Sequence, residues 1–292
     1  MMLGARTAAW AKSGSPTPAS YGGLCFTAKS ANSSVQLTAV GKPPAVTLVK
    51  SFDGINWEAY AVGEVIELPS IDKYVYLAAG EGGNNAFGTS RSYHKFVING
   101  LVAASGDITS LRRFDLEQTT LAVYCYNSMF NGCTGLTSAP ELPATTLADY
   151  CYASMFNGCT GLTSAPELPA TTLAKYCYIG MFYGCTGLTS APELPATTLA
   201  VYCYNFMFNG CTGLTSAPEL PATTLHSNCY ASMFNGCTGL SLIKAHFTVW
   251  GLQTNDWVSG VASTGTFYKP TALTEEYGTS KIPTGWTVVN IE

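Results

Sequence analysis

Between residues 121 and 240 the chain repeats one phrase five times, and this repetition limits its fold more than any other feature. Met129, Met155, Met181, Met207 and Met233 fall 26 residues apart at every step. A fixed period of this size means a solenoid, with one supersecondary unit per period stacked on the next. A unit of 26 residues cannot bury its apolar face alone, so the stack itself must be the core. The flanking segments are then attachments to that stack.

Read from Leu147, the unit is LADYCYASMFNGCTGLTSAPELPATT. Residues 147–159 contain no proline, and Leu147, Tyr150, Cys151, Met155, Phe156 and Cys159 place apolar side chains three and four apart. That spacing predicts a short helix with one buried face. Asn157-Gly158 would supply its left-handed C-terminal stop. Residues 162–168 are small and hydroxyl-bearing, and Pro166 and Pro169 restrict them, which predicts a strand of three or four residues. The expected fold class is mixed α and β: an N-terminal antiparallel β-sandwich, a leucine-rich-repeat solenoid of short parallel strands plus short helices, and a C-terminal cap.

The order Phe156, Cys159, Leu162, Leu168-Pro169, Leu173 resembles the BspA-type leucine-rich repeats. Those repeats are commoner at about 23 residues, so the spacing here is longer by roughly one helical turn. The form MFxGCTGL with APELPATTLAxYCY looks like the variety found in surface proteins of gut bacteria and in their phages. The resemblance covers about 120 residues, from 121 to 240, and the flanks loosely. It implies adhesion or interaction with a partner and names no ligand.

Comparison among the repeats marks which positions are free to change. The columns Val123/Asp149/Lys175/Val201/Ser227, Asn127/Ala153/Ile179/Asn205/Ala231 and Asn131/Asn157/Tyr183/Asn209/Asn235 are spaced i, i+4, i+8 and form one outward stripe. A fourth column, Ser128/Ser154/Gly180/Phe206/Ser232, also varies. Solvent-exposed drift explains such a stripe, and a binding face explains it too. Lys175, Ile179, Tyr183 and Phe206 are the partner-contact candidates there. On the strand side, Glu141, Glu167, Glu193 and Glu219 should stack into a carboxylate column about 5 Å apart, the second candidate surface.

Residues 121–240 hold five acids, the four glutamates and Asp149, against one base, Lys175, while the rest of the chain balances. Like charges in register must stay hydrated or be countered. Phosphate binding needs a basic stripe that is missing here, so no nucleic-acid partner is expected. Ten of eleven cysteines follow the repeat: Cys125/151/177/203/229 and Cys133/159/185/211/237. Stacked neighbours could bridge, but five per column leaves one unpaired, and buried reduced thiols fit a repeated core position. A spacing of seven between cysteines is no zinc knuckle, so no metal or cofactor is expected.

In chain order, residues 1–22 read as a Ser/Pro/Gly/Ala arm without a signal-peptide core, and no stretch approaches a membrane span. From 23 to 105 the hydrophobic period becomes two. It predicts strands at 24–28, 35–40, 46–52, 57–62, 65–68, 74–78 and 93–98, a small sandwich with an Asp53-Gly54 hairpin turn. The run from Ser51 to Trp57 loosely resembles an Asp-box; a plain turn explains it as well. Residues 106–244 form the solenoid: 106–120 aligns as a worn first repeat, with Ile108-Thr109-Ser110-Leu111 in the strand and Asp115 in the glutamate column, followed by five full repeats. Residues 245–292 break the period; the runs DWVSGVASTGTFYKP and KIPTGWTVVN resemble the segment that follows such repeats, a capping module.

His94, His226 and His246 lie in three different modules, and no nucleophile pattern is present. The chain therefore reads as a non-enzymatic surface recognition or adhesion protein that binds a protein or glycan. One alternative is a bacteriophage fibre or tail protein that binds a receptor, with a homo-oligomeric form. Another is a glycan-binding module using Trp250 and Trp286. The expected location is a cell or virion surface; the bare N-terminus leaves the cytoplasm open.

Overall fold

A computed structural model describes residues 23–81, 83–113 and 120–292. The 1–22 arm and the proposed column position of Asp115 lie outside the described residues.

The N-terminal part consists of two sheets. One has the strand order β4-β3-β6-β1-β8-β9, from Glu58–Tyr60 (β4), Leu48–Ser51 (β3), Tyr74–Ala79 (β6), Cys25–Ala28 (β1), Val102–Ser105 (β8) and Leu136–Ser138 (β9). The other is Val65–Leu68 (β5), Ser33–Val40 (β2) and Tyr93–Asn99 (β7), antiparallel throughout. Period-two sequence gives period-two burial: His94, Phe96 and Ile98 of β7 point inward between half-exposed neighbours. Asp53 fixes the β3–β4 turn, where its carboxylate accepts from the N–H groups of Ile55 and Asn56 at 2.8 and 2.7 Å. These bonds to the charged form hold the carboxyl well below its usual pKa.

The repeats contain no α-helix, which corrects the expected mixed fold; the described chain is almost entirely β and turn. In place of the helix each coil carries a ribbon of successive turns in which every fourth residue is left-handed. Tyr124, Ser128 and Gly132 have φ of 57°, 58° and 76°, and the pattern recurs in later coils. Alternate amides have different destinations. Those of Tyr124, Tyr126, Ser128, Phe130 and Gly132 donate to Asp149, Cys151, Ala153, Met155 and Asn157 of the next coil at 2.7–3.1 Å. Those of Cys125, Asn127, Met129, Asn131 and Cys133 turn back to carbonyls three residues earlier at 3.0–3.3 Å. An α-helix keeps every interior amide within its own segment, on the carbonyl four back, so a ribbon that sends half of them to its neighbour cannot be one. Gly158 sits in a left-handed position as expected, but within the ribbon and not as a helix stop.

The expected strand is also reduced. Between central coils the strand side has isolated parallel bridges such as Ser164↔Ser190 and Thr172↔Thr198. Pro166 and Pro169 have no amide to donate, so the ribbons carry most of the inter-coil hydrogen bonds. Gly161 lies where adjacent coils approach closely: a Cβ there would stand 2.5 Å from the Thr134 carbonyl oxygen.

Burial inside the ribbon repeats every four residues: Cys151 and Tyr152, then Met155 and Phe156, then Cys159, all fully buried. Leu162, Leu168, Ala170 and Leu173 complete the lining of that coil. The rings stack along the axis: Phe156 and Phe182 are 5.6 Å apart at 6°, and Tyr152 and Tyr178 are 5.9 Å apart at 2°.

Both ends of this core are closed by imitation of a coil. Phe96 of β7 stacks on Phe130 at 5.0 Å and donates its amide to Met129 O, as Phe130 does to Met155 O. Phe87 likewise lies 6.1 Å from Tyr126 and donates to Cys125 O. The sandwich thus supplies the first rungs, while β8 pairs in parallel with β9. Residues 108–111, expected as a worn strand, form a 3-10 turn Ile108–Leu111 capped by Asp107, whose Oδ1 accepts from Thr109 N–H at 2.7 Å. At the far end Tyr230, Ser232, Phe234 and Gly236 donate to Gln253, Asn255, Trp257 and Ser259, so the ribbon continues past residue 245. A parallel sheet of Leu242–Lys244 (β10), Thr266–Pro270 (β11) and Thr287–Ile291 (β12) follows. Trp257, fully buried, and Trp286, with Nε1–H on Ala262 O at 2.7 Å, belong to this cap's core.

Candidate functional site

The outward edge of each ribbon is set by its four-residue turn. Since buried pairs recur at four, the positions before each left-handed residue share one face, and that face holds Lys175, Ile179 and Tyr183 in the third coil. Lys175 and Tyr183 are exposed and Ile179 is half-buried. The middle of the stripe is lower than expected. Ala153, Asn205 and Ala231 are buried, and Asn205 donates Nδ2–H to Ala231 O at 2.7 Å. Free variation there is bounded by packing, so drift in solvent does not describe it.

Two side chains stand out of this surface together. Tyr183 is 43% exposed and occupies a column that is asparagine in every other coil. Phe206 is 40% exposed, and its column is otherwise serine or glycine. Their centroids are 6.4 Å apart at 59°, unlike the parallel ladders of the core. Phe206 also has φ of 57°. A bulky residue in the left-handed region costs on the order of 1 kcal/mol, and glycine holds the same position in the coil before it.

Beside this patch runs a feature that the column comparison did not single out. Tyr124, Tyr150, Tyr176 and Tyr202 are half-buried, all left-handed, and stacked at 4.4–4.9 Å with interplanar angles of 6–16°. Within the stack their faces cover one another, so the inner rings offer only edges to a ligand. The invariance of these tyrosines, broken only by Asn228, was the available signal.

On the opposite side Glu141, Glu167, Glu193 and Glu219 are all exposed at equivalent positions. At the N-terminal end the backbone of Asp107 forms a parallel bridge with Glu141. Glu219 accepts from Lys244 Nζ at 2.9 Å and lies 2.6 Å from His246 Nε2, and these partners lower its pKa. A groove of about 330 Å³ between the third and fourth coils is lined by Ala191, Pro192, Glu193, Leu194, Pro195, Pro218, Glu219 and Pro221. No lining side chain can donate a hydrogen bond, and one of the two carboxylates is committed to the cap. The structure therefore brings the aromatic candidates together on one face and leaves the glutamates spread along the other.

Trp250 is half-buried beside Phe247 and Trp257, has Lys281 Nζ over its ring at 5.5 Å and donates Nε1–H to Thr274 O at 2.8 Å, so one face and its polar edge are already engaged. Among the described residues no group of three or more His, Cys, Asp or Glu is placed to hold a metal ion. Among the same residues no helix is long and apolar enough to cross a membrane. Comparison with known proteins found no matching family model, no matching curated protein and no matching solved structure.

Proposed function

We propose that this chain is a non-enzymatic surface recognition protein that holds a protein partner against the ribbon face of its third and fourth coils. The observation that carries this reading is the Tyr183–Phe206 pair. Exposed aromatics clustered on a rigid scaffold are the side chains that most often dominate binding energy, and a left-handed Phe206 has a conformational cost that an exposed serine would lower. The resemblance to BspA-type repeats agrees with adhesion. The cap's tryptophans are spent on its core, which favours a protein partner over a glycan.

The repeat itself supplies the control. Asparagine and serine already fill these two columns in sister coils, so Tyr183→Asn with Phe206→Ser should fold as the parent does. The full chain, fluorescently labelled, would be measured on intact bacterial cells and on cultured epithelial cells by flow cytometry. Saturable binding by the parent that falls at least tenfold in the double variant supports the reading. Equal binding by the two proteins would move the site elsewhere, and no saturable binding to either surface would remove the adhesion reading.

A further inference from the structure

We propose that the partner of this face is an acidic peptide segment, with a carboxylate set against Lys175 and an apolar side chain against Tyr183 and Phe206; this rests on the recognition reading above. Lys175 is the only Lys or Arg in residues 121–240. It is exposed and lies on the same ribbon stripe as Ile179 and Tyr183, two turns before the tyrosine. No acid among the described residues makes a salt bridge with it, whereas Lys29, Lys50, Lys244 and Lys281 each have at least one. The other charged side chain on this side of the repeats is Asp149, whose Oδ1 accepts from the Lys175 backbone amide at 3.1 Å. Asp149 holds the Lys175 column position one coil earlier, so its negative charge on this face would oppose an arriving carboxylate.

The rest of the block gives the preference a direction. Four glutamates mark the opposite side, and an acidic segment is repelled from it. The ribbon of the third coil carries the one cation of the repeats and the exposed Tyr183, with Phe206 on the coil next to it. Complementary charge sets the register and the encounter rate, while the aromatic pair supplies most of the affinity.

The column that holds Lys175 and Asp149 holds valine at Val123 and Val201, so both residues can be changed to a side chain the fold already carries. The probe is a random 12-residue peptide library displayed on phage and selected on the immobilised full chain. The enriched peptide is then synthesised, and its affinity measured by fluorescence anisotropy at low and high salt. Enriched sequences should pair Asp or Glu with an aromatic or large aliphatic residue. Lys175→Val should weaken binding about threefold, the size of an exposed ion pair, and Asp149→Val should strengthen it. A general structural defect would move both in one direction. Peptides lost in the Tyr183→Asn, Phe206→Ser double variant but indifferent to Lys175→Val would overturn the acidic partner and leave the recognition face standing. Peptides unaffected by the double variant, or no enrichment at all, would overturn both.

Discussion

The Cys159 thiol donates to the carbonyl oxygen of Phe130, one coil earlier, at 3.1 Å, and the same bond recurs at Cys133, Cys185, Cys211 and Cys237 with 3.0–3.1 Å to their own acceptors. The acceptor carbonyl already takes the Cys133 amide, so its second lone pair is filled by sulfur. A thiol that donates must be protonated, and all eleven cysteines are free and buried. The native protein should therefore resist a maleimide reagent and react at about eleven sites once unfolded without reductant. A count well below this would show bridged cysteines.

Burial makes the same thiols sensitive to alkali. It pushes Cys125 up to about 11 and Cys133, Cys185, Cys203, Cys229 and Cys237 up to about 12. Below the unfolded thiol pKa, about 8.5, both states keep the proton and these groups give no pH dependence. Above it the unfolded chain releases protons that the folded chain retains, so stability falls as pH rises toward the folded values. Each thiol contributes at most about 1.4 kcal/mol per pH unit. Urea midpoints measured from pH 7 to 10.5 should hold to about 8.5 and then drop steeply. A flat profile would mean that the columns are hydrated.

The period of 26 and the core columns were legible from residue identities alone, because identical side chains in register must share one environment; the outward stripe was legible only at its two ends, since Ala153, Asn205 and Ala231 in its middle column are buried. The N-terminal strands were legible too, since buried Val35 and Leu37 flank Gln36, and Phe96 and Ile98 are two apart. The ribbon was not. Over thirteen residues a period of 3.6 and a period of 4.0 drift apart by little more than one position, and Leu147, Cys151, Met155 and Cys159 satisfy both. What separates them is backbone, a left-handed residue at Tyr150 and Ser154, and neither type advertises that conformation. Only Gly180 and Asn228, each appearing once in those columns, carried the hint. The rungs Phe87 and Phe96 were hidden for another reason: they come from a different module, with no repeat spacing to mark them.

Tyr152 and Tyr178 place hydroxyls in the core with no hydrogen-bond partner. Their rings are parallel and 5.9 Å apart, too far for one hydroxyl to reach the other. A buried polar group left unpaired costs about 1–3 kcal/mol. Tyr152→Phe and Tyr178→Phe should each raise the unfolding free energy by about 1 kcal/mol. Tyr126→Phe serves as the contrast, because Tyr126 donates to Ile108 O at 3.4 Å. If all three changes behaved alike in urea unfolding, the difference in partners would not govern their energetics.

Phe206 separates stability from recognition most sharply. Its left-handed backbone opposes folding, while its ring is 40% exposed and lies 6.4 Å from that of Tyr183. Gly180 shows that the ribbon accepts glycine at this position one coil earlier, with the Ser154 Oγ no closer than 3.5 Å to a would-be Cβ. Phe206→Gly should relieve about 1 kcal/mol of strain and return part of it through the greater freedom of the unfolded glycine. The net expectation is equal or slightly higher stability, within about 0.5 kcal/mol. Binding to the partner should fall at least tenfold in the same protein. A chemical-denaturation curve beside a binding isotherm reads both. If Phe206→Gly instead lost 2 kcal/mol or more, by the scale of buried large-to-small changes, the ring would be part of the solenoid's core, and its exposure would not mark a recognition site.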